Sequence, residues 1–405
     1  MSTRRAKRAS KAKRGIGLVV KRRKRYAQLL RKLGFEEFLR LCPPRVQKDM
    51  VLAMYPRPAI EFDERAAALP ERHDIEKQLN DALQEPFVLE PLGVQVSLVD
   101  FISIVMSLDD WLRTRGRALL GSSTKPALYS RVADVLAEAY DGNKDRFRWE
   151  ITNQVGKVMF EHSRVDRHIL LSGFEAKPPP TGGKVGLVVL VSVIPAQTVV
   201  CEVGGEKRRV YRCGGPAGEG GYIWNEVNRS LLQGGGDAFI PVYAQSHALR
   251  KLHSRLAVLG DRWPANHCLF ASLMAPAISR QRNRTYLIEA RLLGHKIGYF
   301  VAEDLENKML VKTFLLATMA GTPEADLLRR RLTMVRRDIE EMALDRLDTF
   351  LTSDLRDDPE VVDVLRQCGM GHLFDLASIA KRTGPAILGR AADLRRYLGL
   401  QDAHQ

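Results

Sequence analysis

The chain has 405 residues, of which 45% are hydrophobic and 27% charged, and its formal net charge is +15 at pH 7. These values are typical of soluble globular proteins with several domains. The longest apolar run, Val185–Ile194, is too short to cross a bilayer as a helix, and the five cysteines form no Cys-x-x-Cys pair, which argues against a cysteine-paired zinc module and a secreted disulfide framework.

The positive charge is concentrated at the amino terminus. Residues 1–35 contain 14 of the 63 Lys and Arg residues and no acidic residue, so the other 49 basic residues nearly balance the 48 acidic ones. A segment of this kind repels itself and releases counterions when it lies on phosphates. We predict a basic arm that binds RNA or DNA through Arg4, Arg5, Lys7, Arg8, Lys11, Lys13, Arg14, Lys21, Arg22, Arg23, Lys24 and Arg25. A solubilising arm without a specific target is the alternative interpretation.

The arm is followed by a predicted helical domain. Residues 1–35 hold the arm and the start of a first helix, which apolar residues at helical spacing extend to Leu41. Residues 36–172 are then predicted to be mainly helical, and the segment ALYSRVADVLAEAYDG is expected to end at Gly142. Residues 173–183 have the composition of a linker and are the predicted domain boundary.

Residues 184–322 are predicted to form an α+β sheet domain. A hairpin is indicated at Gly204-Gly205, and the strand AFIPVY leads into a helix. The runs TYLIEARLL, HKIGYFVAED and KMLVKTFLLAT then predict an antiparallel meander. Residues 323–405 are predicted to be helical, with helix starts at Thr322-Pro323 and Asp358-Pro359. The predicted fold class is therefore α+β, with a helical amino-terminal domain, an antiparallel or mixed sheet domain and a helical carboxyl-terminal region.

The segment SHALRKLHSRL, residues 246–256, combines imidazole and cationic side chains on one predicted helix. At helical spacing Leu249, Leu252, Leu256 and Leu259 form an apolar stripe, and the opposite face carries His247, Arg250, Lys251, Ser254 and Arg255. Cationic neighbours lower the pKa of a histidine and so favour its base form. A neutral imidazole can take the proton of a ribose 2′-hydroxyl while cations stabilise the phosphorane. These residue types therefore suit metal-free cleavage of RNA.

Residues 238–318 resemble the helix-then-meander core of the RelE and barnase-type ribonuclease toxins. Several of these toxins have a His-Ala-x-x-Arg-x-x-x-Arg-like helix before their sheet, and the matching positions here are His247, Ala248, Lys251 and Arg255. The first arginine is thus a lysine in this chain. The resemblance implies that strand residues complete the site, and the candidates are Arg291, His295, Tyr299 and Lys312. In the catalytic version of this hypothesis His247 is the base, Tyr299 or His295 is the acid, and phosphate is bound by Arg250, Lys251 and Arg255.

Two functions follow from these observations. We predict a cytoplasmic nucleic-acid-associated protein with no cofactor and no metal, acting as a metal-independent ribonuclease of toxin or defence type. The alternative is a non-enzymatic RNA- or DNA-binding or assembly protein, in which the arm attaches to nucleic acid and the helical domains recruit protein partners. Ribonuclease toxins of this kind are usually small, free-standing proteins, whereas residues 238–318 of this chain lie between two predicted helical regions.

Overall fold

The computed structural model describes residues 20–90, 92–116, 126–178, 185–217, 221–232, 236–256, 261–281, 284–305, 307–331, 336–378 and 390–398. The chain forms two compact units. The amino-terminal unit comprises residues 1–158 and 172–192, and the carboxyl-terminal unit comprises residues 159–171 and 193–405. Both units contain helices and strands, which confirms the α+β class. Within the described ranges, no helix is long and apolar enough to span a membrane.

The amino-terminal unit is mainly helical. Its helices are residues 20–32, Glu36–Leu41, Pro44–Leu52, Glu64–Ala67, Arg72–Ala82, the mixed α- and π-helical residues 98–116, and most of Pro126–His162. Its strands are β1 (Ala59–Phe62), β2 (Pro86–Leu89), β3 (Val94–Ser97), and parts of β4 (His168–Lys177) and β5 (Gly186–Pro195). Strands β2 and β3 form a hairpin, and β5 pairs with both β1 and β4. Trp111 is fully buried in this unit, and its indole nitrogen donates to Asp49 at 2.8 Å.

The predicted first helix is in fact two helices. Gly34 has a φ of 75°, in the left-handed region that favours glycine, and it separates residues 20–32 from Glu36–Leu41. Tyr26, Leu29 and Leu30 of the first of these helices are buried, and Arg25 pairs with Asp100. From residue 20 onward the basic segment is therefore a packed helix with Lys21, Arg23 and Lys24 on its exposed side. The predicted arm residues Arg4, Arg5, Lys7, Arg8, Lys11, Lys13 and Arg14 lie outside the described residues.

Two predicted breaks lie within regular structure. The helix Pro126–His162 continues through Gly142, where the next residue, Asn143, donates to the Glu90 carbonyl at 2.7 Å and accepts from the Glu90 amide at 3.1 Å. These tertiary hydrogen bonds hold the helix where the local signal favours an end. In the predicted linker, residues 173–177 belong to β4, a strand that pairs with β5. Residues 179–183 of that segment lie outside the described part of the chain.

A mixed sheet organises the carboxyl-terminal unit. Its strands are β6 (Thr198–Val203), β7 (Glu206–Arg212), β10 (Glu226–Asn228), β11 (Phe239–Gln245), β12 (Ile278–Arg280), β13 (Thr285–Leu292), β14 (His295–Asp304) and β15 (Met309–Leu316). The order is β12-β13-β14-β15-β11-β7-β6, with β10 also paired to β11. The meander β13-β14-β15 is antiparallel as predicted, whereas β15 and β11 are parallel. A separate hairpin is formed by β8 (Gly214–Ala217) and β9 (Gly221–Trp224).

The helices of the carboxyl-terminal unit share one apolar core with this sheet. Phe300 and Phe314 of the sheet belong to the same buried cluster as Leu328, Phe350 and Leu394 of the later helices. The helices are Ser246–Leu256, Trp263–Met274, Pro323–Arg331, Arg336–Glu341, Leu347–Thr352, Pro359–Gln367 and Arg390–Leu398, with short 3₁₀ turns at Arg229–Leu231, Asp354–Asp357, Gly371–Leu373 and Asp375–Ser378. The two predicted helix starts are confirmed, since the side chains of Thr322 and Asp358 accept hydrogen bonds from the first-turn amides. The sequence analysis did not predict Trp263–Met274.

We expect Gly298→Ala to destabilise the carboxyl-terminal unit. A Cβ at Gly298 of β14 would lie far inside van der Waals contact of the Leu315 carbonyl oxygen on β15, and neither backbone can move without breaking the ladder. Overpacking of this kind costs about 1–3 kcal/mol of unfolding free energy. The exposed Gly236 is the matched control, because a Cβ there would meet nothing within 4 Å. Equal unfolding midpoints for the two variants in urea would contradict the strand packing described here.

Candidate functional site

The helix Ser246–Leu256, called the site helix below, lies beside an interrupted strand edge. Strand β11 runs directly into the helix, and β11 pairs with β15 only from Val242–Met309 to Ala244–Val311. The register of β15 against β14 then shifts at Lys312. After this bulge β15 no longer has β11 as a partner, and the site helix contacts β15 instead.

Arg255 joins the site helix to this strand edge. Its side chain is buried, one guanidinium nitrogen donates to the Phe314 carbonyl of β15, and Nε lies 3.9 Å from Asp345. The sequence analysis placed Arg255 on the exposed face, and that prediction is wrong because the open edge of β15 covers this side of the helix. Leu249, Leu252 and Leu256 of the apolar stripe are buried as predicted, and its fourth predicted member, Leu259, lies outside the described residues.

A first cleft of about 640 Å³ opens along one side of the site helix. His247, Lys251 and Arg255, spaced four residues apart, line it in one row. Its other lining residues are Thr313 and Leu315 of β15 and, from the segments beyond β15, Met319, Ala320, Arg329, Ile339 and Glu340. Cationic side chains thus line a cleft that also has an apolar surface. His247 is exposed at this cleft.

A second cleft of about 500 Å³ lies against another side of the same helix. It contains Arg250, so the structure separates this arginine from the cleft of His247. The lining residues are Arg164, Val165, Asp166, Ser246, Leu249, Arg250, His253, Ser254 and Arg262. The site helix therefore contributes cations to two clefts.

The electrostatic environment of His247 is strongly cationic. Desolvation, followed by the charges of Lys251, Arg250, Arg255 and Arg208, lowers the pKa of His247 below its ordinary value. The site helix itself contains no acidic residue. At neutral pH the imidazole is therefore mainly uncharged and able to accept a proton.

The four strand candidates do not line either cleft, among the residues that the structure describes. Arg291 is paired with Glu289 at 2.6 Å, and Lys312 with Glu303 at 2.9 Å. His295 is half-buried at the first position of β14. These charges are used within the meander, so the structure does not bring them to His247.

Tyr299 is part of a buried polar cluster. It is only 5% exposed, and its hydroxyl donates to Glu324 at 2.9 Å. Lys296 donates to the same hydroxyl at 3.3 Å and pairs with Glu324 at 2.5 Å. Burial and the charge of Glu324 raise the pKa of Tyr299. The cluster joins β14 to the helix Pro323–Arg331, and the proton of Tyr299 is donated to Glu324 within it.

Several cleft residues were missed in the sequence. Arg164 lies in a tight turn in which its amide and carbonyl both bond to His168 at 2.7 Å, whereas the segment EHSRVDRH gives no local sign of a turn. Arg262 precedes the helix Trp263–Met274, and the Trp-Pro pair at that helix start was a usable signal. Arg329 lies on a helix that was predicted, but its approach to the site helix is a tertiary feature.

No group of three or more His, Cys, Asp or Glu side chains in the described ranges is placed to hold a metal ion.

The chain matches no protein-family model, no curated protein and no solved structure. The toxin resemblance therefore remains a sequence-based interpretation. The resemblance was to a helix followed by a meander, whereas in the described fold the helix Trp263–Met274 lies between the site helix and the meander along the chain.

We expect Arg255→Ala to lower the free energy of unfolding by about 2–4 kcal/mol, because it removes a charged donor from a buried carbonyl and a partner from Asp345. Lys251→Ala, on the same face of the same helix, should change it by no more than about 0.5 kcal/mol. Chemical denaturation of both variants measures the difference. If the two variants were equally stable, Arg255 would not hold the helix to β15.

Proposed function

We propose that the protein binds nucleic acid through phosphate contacts on the site helix, with the basic amino-terminal segment adding to the attachment. The observation that carries this proposal is the position of Arg250 and Lys251 beside the exposed His247 on the site helix. The other two cations that act on this imidazole, Arg208 and Arg255, have acidic partners. Contacts between Lys or Arg and phosphates supply most of the sequence-independent affinity of nucleic-acid-binding proteins.

The distribution of charge supports this proposal. Residues 36–405 hold nearly equal numbers of basic and acidic residues, yet the site helix has cations and no acid. Arg250 and Lys251 form no ion pair with a described residue, whereas Arg291 and Lys312 are both paired. Like charges held together without acidic partners raise the energy of the free protein, and a polyanion relieves that repulsion.

The first cleft favours a single strand over a duplex. Leu315, Met319 and Ile339 provide apolar surface beside Lys251 and His247. An unpaired base can lie against apolar side chains while its phosphates contact the cations, but the bases of a duplex are already stacked on each other. We propose single-stranded RNA or DNA as the ligand class.

We also propose a cytoplasmic location. Nucleic acid is accessible in that compartment, and its reducing conditions keep thiols free. All five cysteines are buried and none forms a disulfide, which fits this environment.

Replacing both Arg250 and Lys251 with Ala should weaken binding of single-stranded RNA and reduce its salt dependence. Each lost phosphate contact lowers the slope of log affinity against log salt by about 0.7. Fluorescence anisotropy with a labelled oligonucleotide at several KCl concentrations gives the slope. Arg396→Ala is the matched control, since Arg396 is 80% exposed on the helix Arg390–Leu398.

The double variant and the Arg396→Ala control both retain the basic residues 1–35. A difference in salt dependence between them therefore reports the site helix and not the basic segment. A double variant with the slope of the wild type would exclude the site helix as a phosphate-binding surface.

Metal-independent RNA cleavage is the second candidate. It is favoured by the exposed position of His247 in a cleft with Lys251 and Arg255, and by the lowered pKa of His247. The described residues that line this cleft include no second histidine and no tyrosine to act as the acid. The geometry therefore supports binding better than catalysis.

If His247 is a general base, the protein should cleave labelled RNA in EDTA, and His247→Gln should reduce the rate at least about 100-fold. The base form is required, so the rate should fall as pH drops through the lowered pKa of His247 and level off above it. Equal rates for the two proteins would show that His247 is not the base. If neither protein cleaved RNA, binding without catalysis would be the remaining proposal.

A further inference from the structure

The second cleft is lined by three arginines that come from three separate elements. Arg164 lies in the turn that follows the helix Pro126–His162, Arg250 lies on the site helix, and Arg262 directly precedes the helix Trp263–Met274. Ser246, His253 and Ser254 add polar groups to the same cavity. At about 500 Å³ its volume is that of a small-molecule site.

Hydrogen bonds fix the positions of these elements. Glu161 accepts from the amides of Arg262 and Trp263 at 2.6 and 2.8 Å. Asn266 donates to the carbonyls of Phe160 and Ser163 at 2.6 and 2.8 Å. The backbone around Arg164 is therefore held against the start of the helix Trp263–Met274. The arginines converge on a preformed cavity, which reduces the ordering that a ligand must impose.

The charge of the cavity is only partly compensated. Among the described residues, Arg164 is the one of the three arginines that forms an ion pair, with Asp166 at 3.5 Å. Burial lowers the pKa of His253, as do Arg262 and Arg164, while Asp166 opposes them, so this imidazole is mainly neutral. Three guanidinium groups and one carboxylate leave a net charge of +2 on the lining.

We propose that this cavity binds a phosphomonoester, either at the end of a nucleic-acid strand or on a free mononucleotide. A phosphomonoester carries a charge of about −2 at neutral pH and three strong acceptor oxygens, whereas an internal phosphodiester has a single charge. Two unpaired guanidinium groups can each donate to it through a planar fork, and the Ser246 hydroxyl can donate to a remaining oxygen, whereas the Ser254 hydroxyl donates to the Lys251 carbonyl at 3.1 Å. The site is distinct from the first cleft and does not depend on nucleic-acid binding there.

Calorimetric titration of the full-length protein with AMP and with adenosine tests this proposal. AMP should bind at least about tenfold more tightly, because charge-assisted hydrogen bonds form only with the phosphate. Arg262→Gln and Arg250→Gln should each remove most of this preference, and Arg396→Gln should leave it unchanged. Equal affinity for AMP and adenosine, combined with equal affinity for the phosphorylated and unphosphorylated oligonucleotides described below, would overturn the proposal.

The variant Asp166→Asn is expected to bind AMP more tightly, a result that misfolding would not produce. This change removes the carboxylate from the cavity and releases Arg164, so it should strengthen AMP binding. Unchanged or weaker binding by this variant would contradict the charge argument.

Oligonucleotides distinguish the two sources of the phosphomonoester. One single-stranded RNA sequence is compared with a 5′-phosphate, with a 3′-phosphate and with hydroxyl groups at both ends. A preference for either phosphorylated strand identifies a strand end as the ligand, and a preference for AMP without an end effect identifies a free nucleotide. No preference in either series would refute the site. The strand with hydroxyl ends reports the proposed nucleic-acid binding separately.

Discussion

The arrangement of both clefts depends on one buried guanidinium group. Strand β15 loses its partner β11 after the bulge at Lys312, and a strand edge buried without hydrogen-bond donors is costly. Arg255 supplies a donor from the site helix to the Phe314 carbonyl, with Asp345 nearby to offset the desolvation of its charge. The carboxyl-terminal end of the helix is fixed in this way. His247 and Arg250, near its amino-terminal end, stay exposed.

The contrast between the meander and the site helix explains where an anion can bind. Two cations on the meander have acidic partners on the same or the neighbouring strand, in the pairs Arg291–Glu289 and Lys312–Glu303. Such pairs have little charge left for a ligand. The site helix has no acid of its own, and among the described residues that line its two clefts only Asp166 and Glu340 are carboxylates. Arg250 and Lys251 of this helix therefore face different clefts without an ion pair to a described residue.

Features that depend on neighbours in the sequence were predicted well. The site helix, the antiparallel meander and the caps at Thr322 and Asp358 follow from side-chain periodicity and first-turn hydrogen bonds, and the structure confirms them. Gly142 shows the opposite case, since the bonds from Asn143 to Glu90 override its helix-ending tendency. For the candidate site, His247 and Lys251 do share a cleft, but Arg250 faces another, and Tyr299 is bonded to Glu324.

The sequence alone determined which side chains of residues 246–256 are apolar, which are charged, and that no acid lies among them. It also determined the strands that follow, because alternation and periodicity are local properties of the chain. Only the tertiary structure decided which charged side chains remain accessible. A helical wheel assigns Arg255 to the polar face, yet a strand edge about 60 residues later buries it by offering a backbone acceptor. Tertiary placement also brings Arg164 and Arg262 to the cavity of Arg250. Arg164 lies in a turn that is distant from Arg250 in the sequence, and Arg262 lies at the start of the next helix.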